Sequence, residues 1–139
     1  MKNPSRHLDH PVVSVAILAA LILSVVLAAV PGLQQAFERS LSRDAFAFCA
    51  ELEAAQEQHH AEHGRYAASL GDLVLAAEVP PAFLADALQS GDWERGWRLV
   101  LHRQDHRARQ SRWSICWTEA GFEPGTSTIP RRLVPLLPR

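Results

Sequence analysis

Three groups of side chains in this 139-residue chain have the types and spacing for chemistry. The first is His59, His60 and His63, with Glu62 beside them. On a helix His59 and His63 stand four apart on one face, a spacing that holds zinc when a third protein ligand and an open position complete the site. The H-E-x-x-H order of a zinc protease is absent. A solvated helix end, where imidazolium cations complement the C-terminal dipole, accounts for the same residues without a metal. No metal and no cofactor are expected.

The second group is the two cysteines, Cys49 and Cys116. They could form a disulfide if the domain sits outside the cytoplasm. The alternative is two buried thiols. Period-two alternation sets Cys116 opposite Trp113, Ile115 and Trp117, away from the helix that carries Cys49, unless a bulge reverses it. The third group is Arg95, Arg98, Arg103, Arg107, Arg109 and Arg112, set against Asp105. Such a run suits phosphate or nucleic acid, a solvated hairpin tip, or an acidic neighbouring subunit. Trp97, Trp113 and Trp117 are accounted for as core, and a net charge of −1 gives no global case for nucleic acid, so none is expected. A glycine-rich phosphate loop and a Ser/His/Asp set are both missing, which favours a non-enzymatic protein.

The elements that position these groups begin with Val12 to Val30, a run without charge in which only Ser14 and Ser24 are polar. Nineteen residues span ~28 Å as a helix, close to the hydrocarbon thickness of a bilayer. The run is too long for the apolar core of a signal peptide, and Leu27-Ala28-Ala29 is a poor cleavage site. The rest of the chain is too short to bury it. A retained single-pass anchor follows. Lys2 and Arg6 precede it with Asp9, while Arg39 and Arg43 follow with Glu38 and Asp44, so a short leader, 1–11, is expected in the cytoplasm.

Pro31-Gly32 is expected to end or kink this helix. Helical periodicity resumes over 31–63, with Leu33, Phe37, Leu41, Ala45, Phe48, Leu52 and Ala55 on one face and Phe46 and Cys49 widening it. Gly64 suits the helix C-terminus. That amphipathic half is ~46 Å long and needs a partner for its stripe. Residues 64–139 form the partner, a small extracytoplasmic domain whose own core is limited. Ser69-Leu70-Gly71-Asp72 predicts a capped helix to about Ala77. Pro81 predicts a second short helix over 82–88. Trp97, Leu99 and Leu101, then Trp113, Ile115 and Trp117, alternate with polar partners and predict a hairpin with 104–111 as its loop. Phe122 to Pro130 is turn-rich, and Leu133-Val134 predicts a short edge strand limited by Pro130, Pro135 and Pro138.

The order of these features resembles the type IV pilin and type II secretion pseudopilin family. The closest local match runs from Ala54 to Leu73, where Gly64, Tyr66, Leu70 and Leu73 fit a helix end followed by G-x-Y and S-L-x-x-L. His59 and His60 stand where tyrosines are frequent. Gly96 to Leu101 is similar to the family's first strand, and Glu123-Pro124-Gly125-Thr126 fits in order. The departure is at the start: no glycine precedes Gly32, and with Pro31 aligned, Ser14 replaces the expected glutamate. The resemblance implies an α+β fold, a long N-terminal helix packed against a small antiparallel sheet. It also implies an inner-membrane subunit that associates with lipid and with other pilin-like subunits through its apolar helix. The alternative is an uncleaved bitopic protein with a pilin-like domain, acting as an accessory, assembly or binding factor.

Overall fold

The structure is a computed structural model that describes residues 10–104 and 111–136. It is α+β: a long N-terminal helix, α1 (His10–His63), and a four-stranded antiparallel sheet. The strands are β1 (Phe83–Ala85), β2 (Arg98–Gln104), β3 (Ser111–Thr118) and β4 (Gly121–Phe122), in the spatial order β1-β2-β3-β4. The chain divides into two compact units, Met1–Phe37 and Glu38–Arg139, a boundary seven residues beyond Val30.

In the first unit α1 carries Pro31 internally rather than ending there. A proline supplies no N–H to the carbonyl four residues earlier, but the helical backbone continues on both sides of it. The expected break at Pro31 and Gly32 is therefore not a stop. Leu33 and Phe37 are exposed, unlike the stripe members that follow. The buried face starts later than periodicity alone placed it.

In the second unit the helix buries Ser42, Ala45, Phe46, Phe48, Cys49, Leu52 and Gln56, steps of three and four along one face. The sheet supplies the opposing layer. Leu99 and Leu101 from β2, and Trp113, Ile115 and Trp117 from β3, join the helix residues, Phe83, Leu88 and Trp97 in one core. The β2–β3 pairing sets Leu99 opposite Trp117 and Leu101 opposite Ile115, so the hairpin read from alternation is present with its apolar side inward. Phe46 meets Trp117 edge to face at 5.5 Å and Phe122 at 5.0 Å. Fully burying each large apolar side chain contributes about 1.5–3 kcal/mol, which is why neither the helix stripe nor the sheet face stands alone.

Three local expectations differ. The helix expected from Leu70 to Ala77 is one 3-10 turn, Leu70–Asp72, with Ser69 Oγ accepting from the Gly71 N–H. Beyond it the Glu51 carboxylate accepts from the Ala76 and Ala77 N–H groups and holds them out of a helix. Residues 82–88 form no helix either. Phe83 to Ala85 pair with β2, because the β2 edge offers a ladder that outweighs a weak local helical preference. Leu133 belongs to a 3-10 turn, Arg131–Leu133, not to an edge strand, and Ser42 Oγ donates to its carbonyl at 2.5 Å. The edge of β3 past β4 is closed instead by hydroxyls. Ser127 Oγ and Thr128 Oγ1 accept from the Cys116 and Ser114 N–H groups, both at 2.8 Å.

Candidate functional site

Two places in the chain gather residues that the sequence singles out. The first is the end of α1. Gly64 adopts φ +73° and its N–H closes on the His60 carbonyl at 2.8 Å, a left-handed cap that a side chain would strain. Tyr66 is buried, stacks on His60 with centroids 4.4 Å apart, and donates its hydroxyl to Glu57 at 3.0 Å. Its N–H donates to the Trp93 carbonyl at 2.7 Å. One residue on, buried Gln56 grips Ala67 twice: Oε1 accepts from its N–H at 2.8 Å and Nε2 donates to its carbonyl at 3.1 Å. Leu70 and Leu73 then pack part-buried against the core. Gly64, Tyr66, Leu70 and Leu73 thus act together as the joint that turns the chain off the helix and onto the sheet.

The three histidines belong to this joint. His59 Nδ1 bonds the Arg65 carbonyl at 3.0 Å, His63 Nδ1 the His59 carbonyl at 3.1 Å, and His60 Nε2 the Glu94 carbonyl at 3.1 Å. A carbonyl only accepts, so in each of these bonds the ring nitrogen is the donor. His59 and His63 stack at 4.2 Å. Among the described residues there is no cluster of three or more His, Cys, Asp or Glu able to hold a metal ion.

Cys49 and Cys116 are both buried and both free thiols, so the considered disulfide is not formed. The reason is the one alternation supplies. Cys49 lies in the helix–sheet core, while Cys116 Sγ accepts from Arg98 Nε at 2.9 Å and donates to Glu123 at 3.3 Å, outside the core cluster. Burial pushes the Cys49 thiol well up, with Cys116 and Glu53 adding to it. Glu123 is held low by the Thr126 hydroxyl and then by the Cys116 thiol.

The described arginines of 95–112 are not one patch. Arg95 pairs with Asp92 at 3.3 Å in the turn before β2, and Arg98 sits on the outer face with Cys116. Arg103 is buried on the inner face and pairs with Glu38 at 3.2 Å, and Arg112 reaches the same carboxylate at 3.4 Å. Trp113 Nε1 donates to Glu38 at 3.2 Å, and Trp117 Nε1 to Glu53 at 2.7 Å. Periodicity missed the polar helix residues of this packing, part-buried Glu38 and Glu53 and buried Ser42 and Gln56; the tryptophan-rich strand, whose indoles need acceptors, was a signal for Glu38 and Glu53 alone. Arg107 and Arg109, and Lys2 and Arg6 of the leader, lie outside the described residues.

The second place is the apolar stretch of α1. Every described side chain from Ser14 to Val30 is exposed, including Leu21, Ile22 and Val25. Ser24 Oγ returns its bond to the Leu21 carbonyl at 2.7 Å, so it presents no unmet donor to an apolar medium. This helix is long and apolar enough to cross a membrane, and none of its span is buried by the protein. Compared with protein-family models, curated proteins and solved structures, the chain gives no match.

Proposed function

We propose that this chain is a non-enzymatic, pilin-like or pseudopilin-like subunit, held in the inner membrane by one N-terminal helix. Its leader faces the cytoplasm and its α+β unit lies outside the cytoplasm. The observation that carries the reading is the pairing of two features in one helix. The stretch from Ser14 to Val30 leaves its apolar side chains uncovered, and the stretch from Ser42 to Gln56 buries its stripe beneath an antiparallel sheet. Lipid satisfies the first surface before assembly, and the apolar helices of neighbouring subunits satisfy it afterwards. The joint at Gly64, Tyr66, Leu70 and Leu73 supports the same reading, because it occupies the positions by which the sequence resembles that family.

A second reading, a permanently anchored bitopic accessory protein, is favoured by one observation: Ser14 stands where the family's assembly glutamate is expected, with no glycine before it. Intact mass separates the two. The filament reading expects protein in sheared filaments that has lost about ten N-terminal residues, the length set by aligning Pro31. Full-length chain confined to the membrane, and missing from sheared filaments, leaves the accessory reading standing instead.

A further inference from the structure

The charges of the globular unit are segregated. Its first helical turns carry exposed Arg39 and Arg43, four apart and so on one face. The 3-10 turn with exposed Arg131 and Arg132 is tied to the same turns through Ser42 and the Leu133 carbonyl. Arg103 and Arg112 arrive there from β2 and β3 on Glu38. Against these six arginines stand Glu38, already engaged by Arg103, Arg112 and Trp113, and exposed Asp44. Everywhere else in the described unit the balance reverses, with Arg65, Arg95 and Arg98 facing eleven acids. Arg39, Arg43, Arg131 and Arg132 have no ion-pair partner among the described residues.

We infer that this basic end is a docking surface for the anionic phospholipid headgroups of the bilayer that the chain's own helix enters, an inference that rests on the anchoring proposed above. The covalent chain supplies the occupant. Arg39 comes nine positions after Val30, the last of the apolar run, a reach of at most ~30 Å whatever angle the two units adopt. The acids elsewhere in the unit are repelled by the same surface. Arginine is suited to phosphate by its planar set of donors. Each arginine near an anionic leaflet favours the docked state by about fivefold, and four exposed ones lie on the two turns that Ser42 ties together.

The test uses the full chain in nanodiscs of phosphatidylcholine, or of phosphatidylcholine mixed with phosphatidylglycerol. Each disc carries a tracer lipid with a nitroxide headgroup. A fluorophore is placed at Leu136→Cys, an exposed position beside the arginine turn, or at Val74→Cys, an exposed control; Cys49 and Cys116 are buried. The expected result is quenching at position 136 about threefold stronger in the mixed discs, returning to the phosphatidylcholine level at about 1 M salt, where the Debye length is ~3 Å. The combination Arg39→Gln, Arg43→Gln, Arg131→Gln and Arg132→Gln should abolish the difference while keeping the tryptophan emission of the folded unit. Position 74 should not respond. Equal quenching in both discs overturns the inference. So does quenching that ignores lipid charge while the four-glutamine variant loses self-association, which assigns the patch to a second copy. A chain that enters neither disc, read first from co-purification, refutes the anchor itself and the docking with it.

Discussion

Replacing Glu38 by alanine removes a carboxylate that joins the helix to both central strands. Arg103, Arg112 and Trp113 Nε1 all converge on it. The three contacts are unequal. Arg103 has a side chain only 9% exposed and Glu38 one 16% exposed, so the substitution strands a buried guanidinium. Breaking such a pair from one side costs about 3–5 kcal/mol. Arg103 keeps the Ala82 and Gln104 carbonyls, which places the loss near the lower end, about 3 kcal/mol. Arg112 is 53% exposed, so Arg112→Gln should cost less than about 1 kcal/mol. Glu38→Gln keeps an acceptor for the indole and should fall between, at about 2 kcal/mol. Urea unfolding of the detergent-solubilised chain, followed by tryptophan emission, measures all three. A Glu38→Ala change under about 1 kcal/mol, or an Arg112→Gln change equal to it, would show that the burial ranking used here is wrong.

Other substitutions probe the remaining joints. Gln56→Leu leaves the buried Ala67 N–H and carbonyl unmet and should destabilise by about 2–4 kcal/mol in the same assay, with faster amide exchange at Ala67. Trp117→Phe keeps most of the ring packing but removes the donor to Glu53, and should cost about 1–2 kcal/mol, recovered in part by Glu53→Leu in the same chain. The raised Cys49 thiol gives a pH dependence whose sign is fixed. The folded value lies above the unfolded one, so stability is full below about pH 8.5 and falls as pH rises beyond it. Between about pH 8.5 and 10, Cys49→Ala should flatten that decline in the urea midpoint while lowering the midpoint itself at neutral pH.

How much of this was legible in the sequence depends on which force decided each element. The helix from Glu38 to His63 and the β2–β3 hairpin are set by periodic burial, and periodicity is written in consecutive residues such as Leu99, Leu101, Trp113 and Ile115. Gly64 was legible because a left-handed cap favours one residue type. The misses lie where a distant group decides. Ser69 and Asp72 announce a helix, but Glu51 from α1 takes the next N–H groups. Phe83 to Ala85 look helical until the β2 edge is at hand. Leu133 is drawn into the core beside Ser42 by a contact 91 positions away in the chain. Arg103 sits on the apolar side of β2, where alternation would place a hydrophobic residue, and Glu38 with the Ala82 and Gln104 carbonyls explains it. The apolar run from Ser14 to Val30 was legible as a candidate span because it lacks charge, and of the two outcomes expected at Pro31, an end or a kink, the structure excludes the end.

The central claim is that this run serves as an anchor and then as an assembly surface. Single cysteines introduced in turn at Leu18, Leu21, Val25 and Ile22, in a chain expressed at native level, test it in the membrane by oxidative cross-linking. Cys49 and Cys116, buried, should stay silent. The account predicts dimers and higher species that peak at positions on one or two helical faces and are lost when the run is replaced by an unrelated apolar span. Monomer alone at all four positions, with the protein still in the membrane fraction, would contradict it.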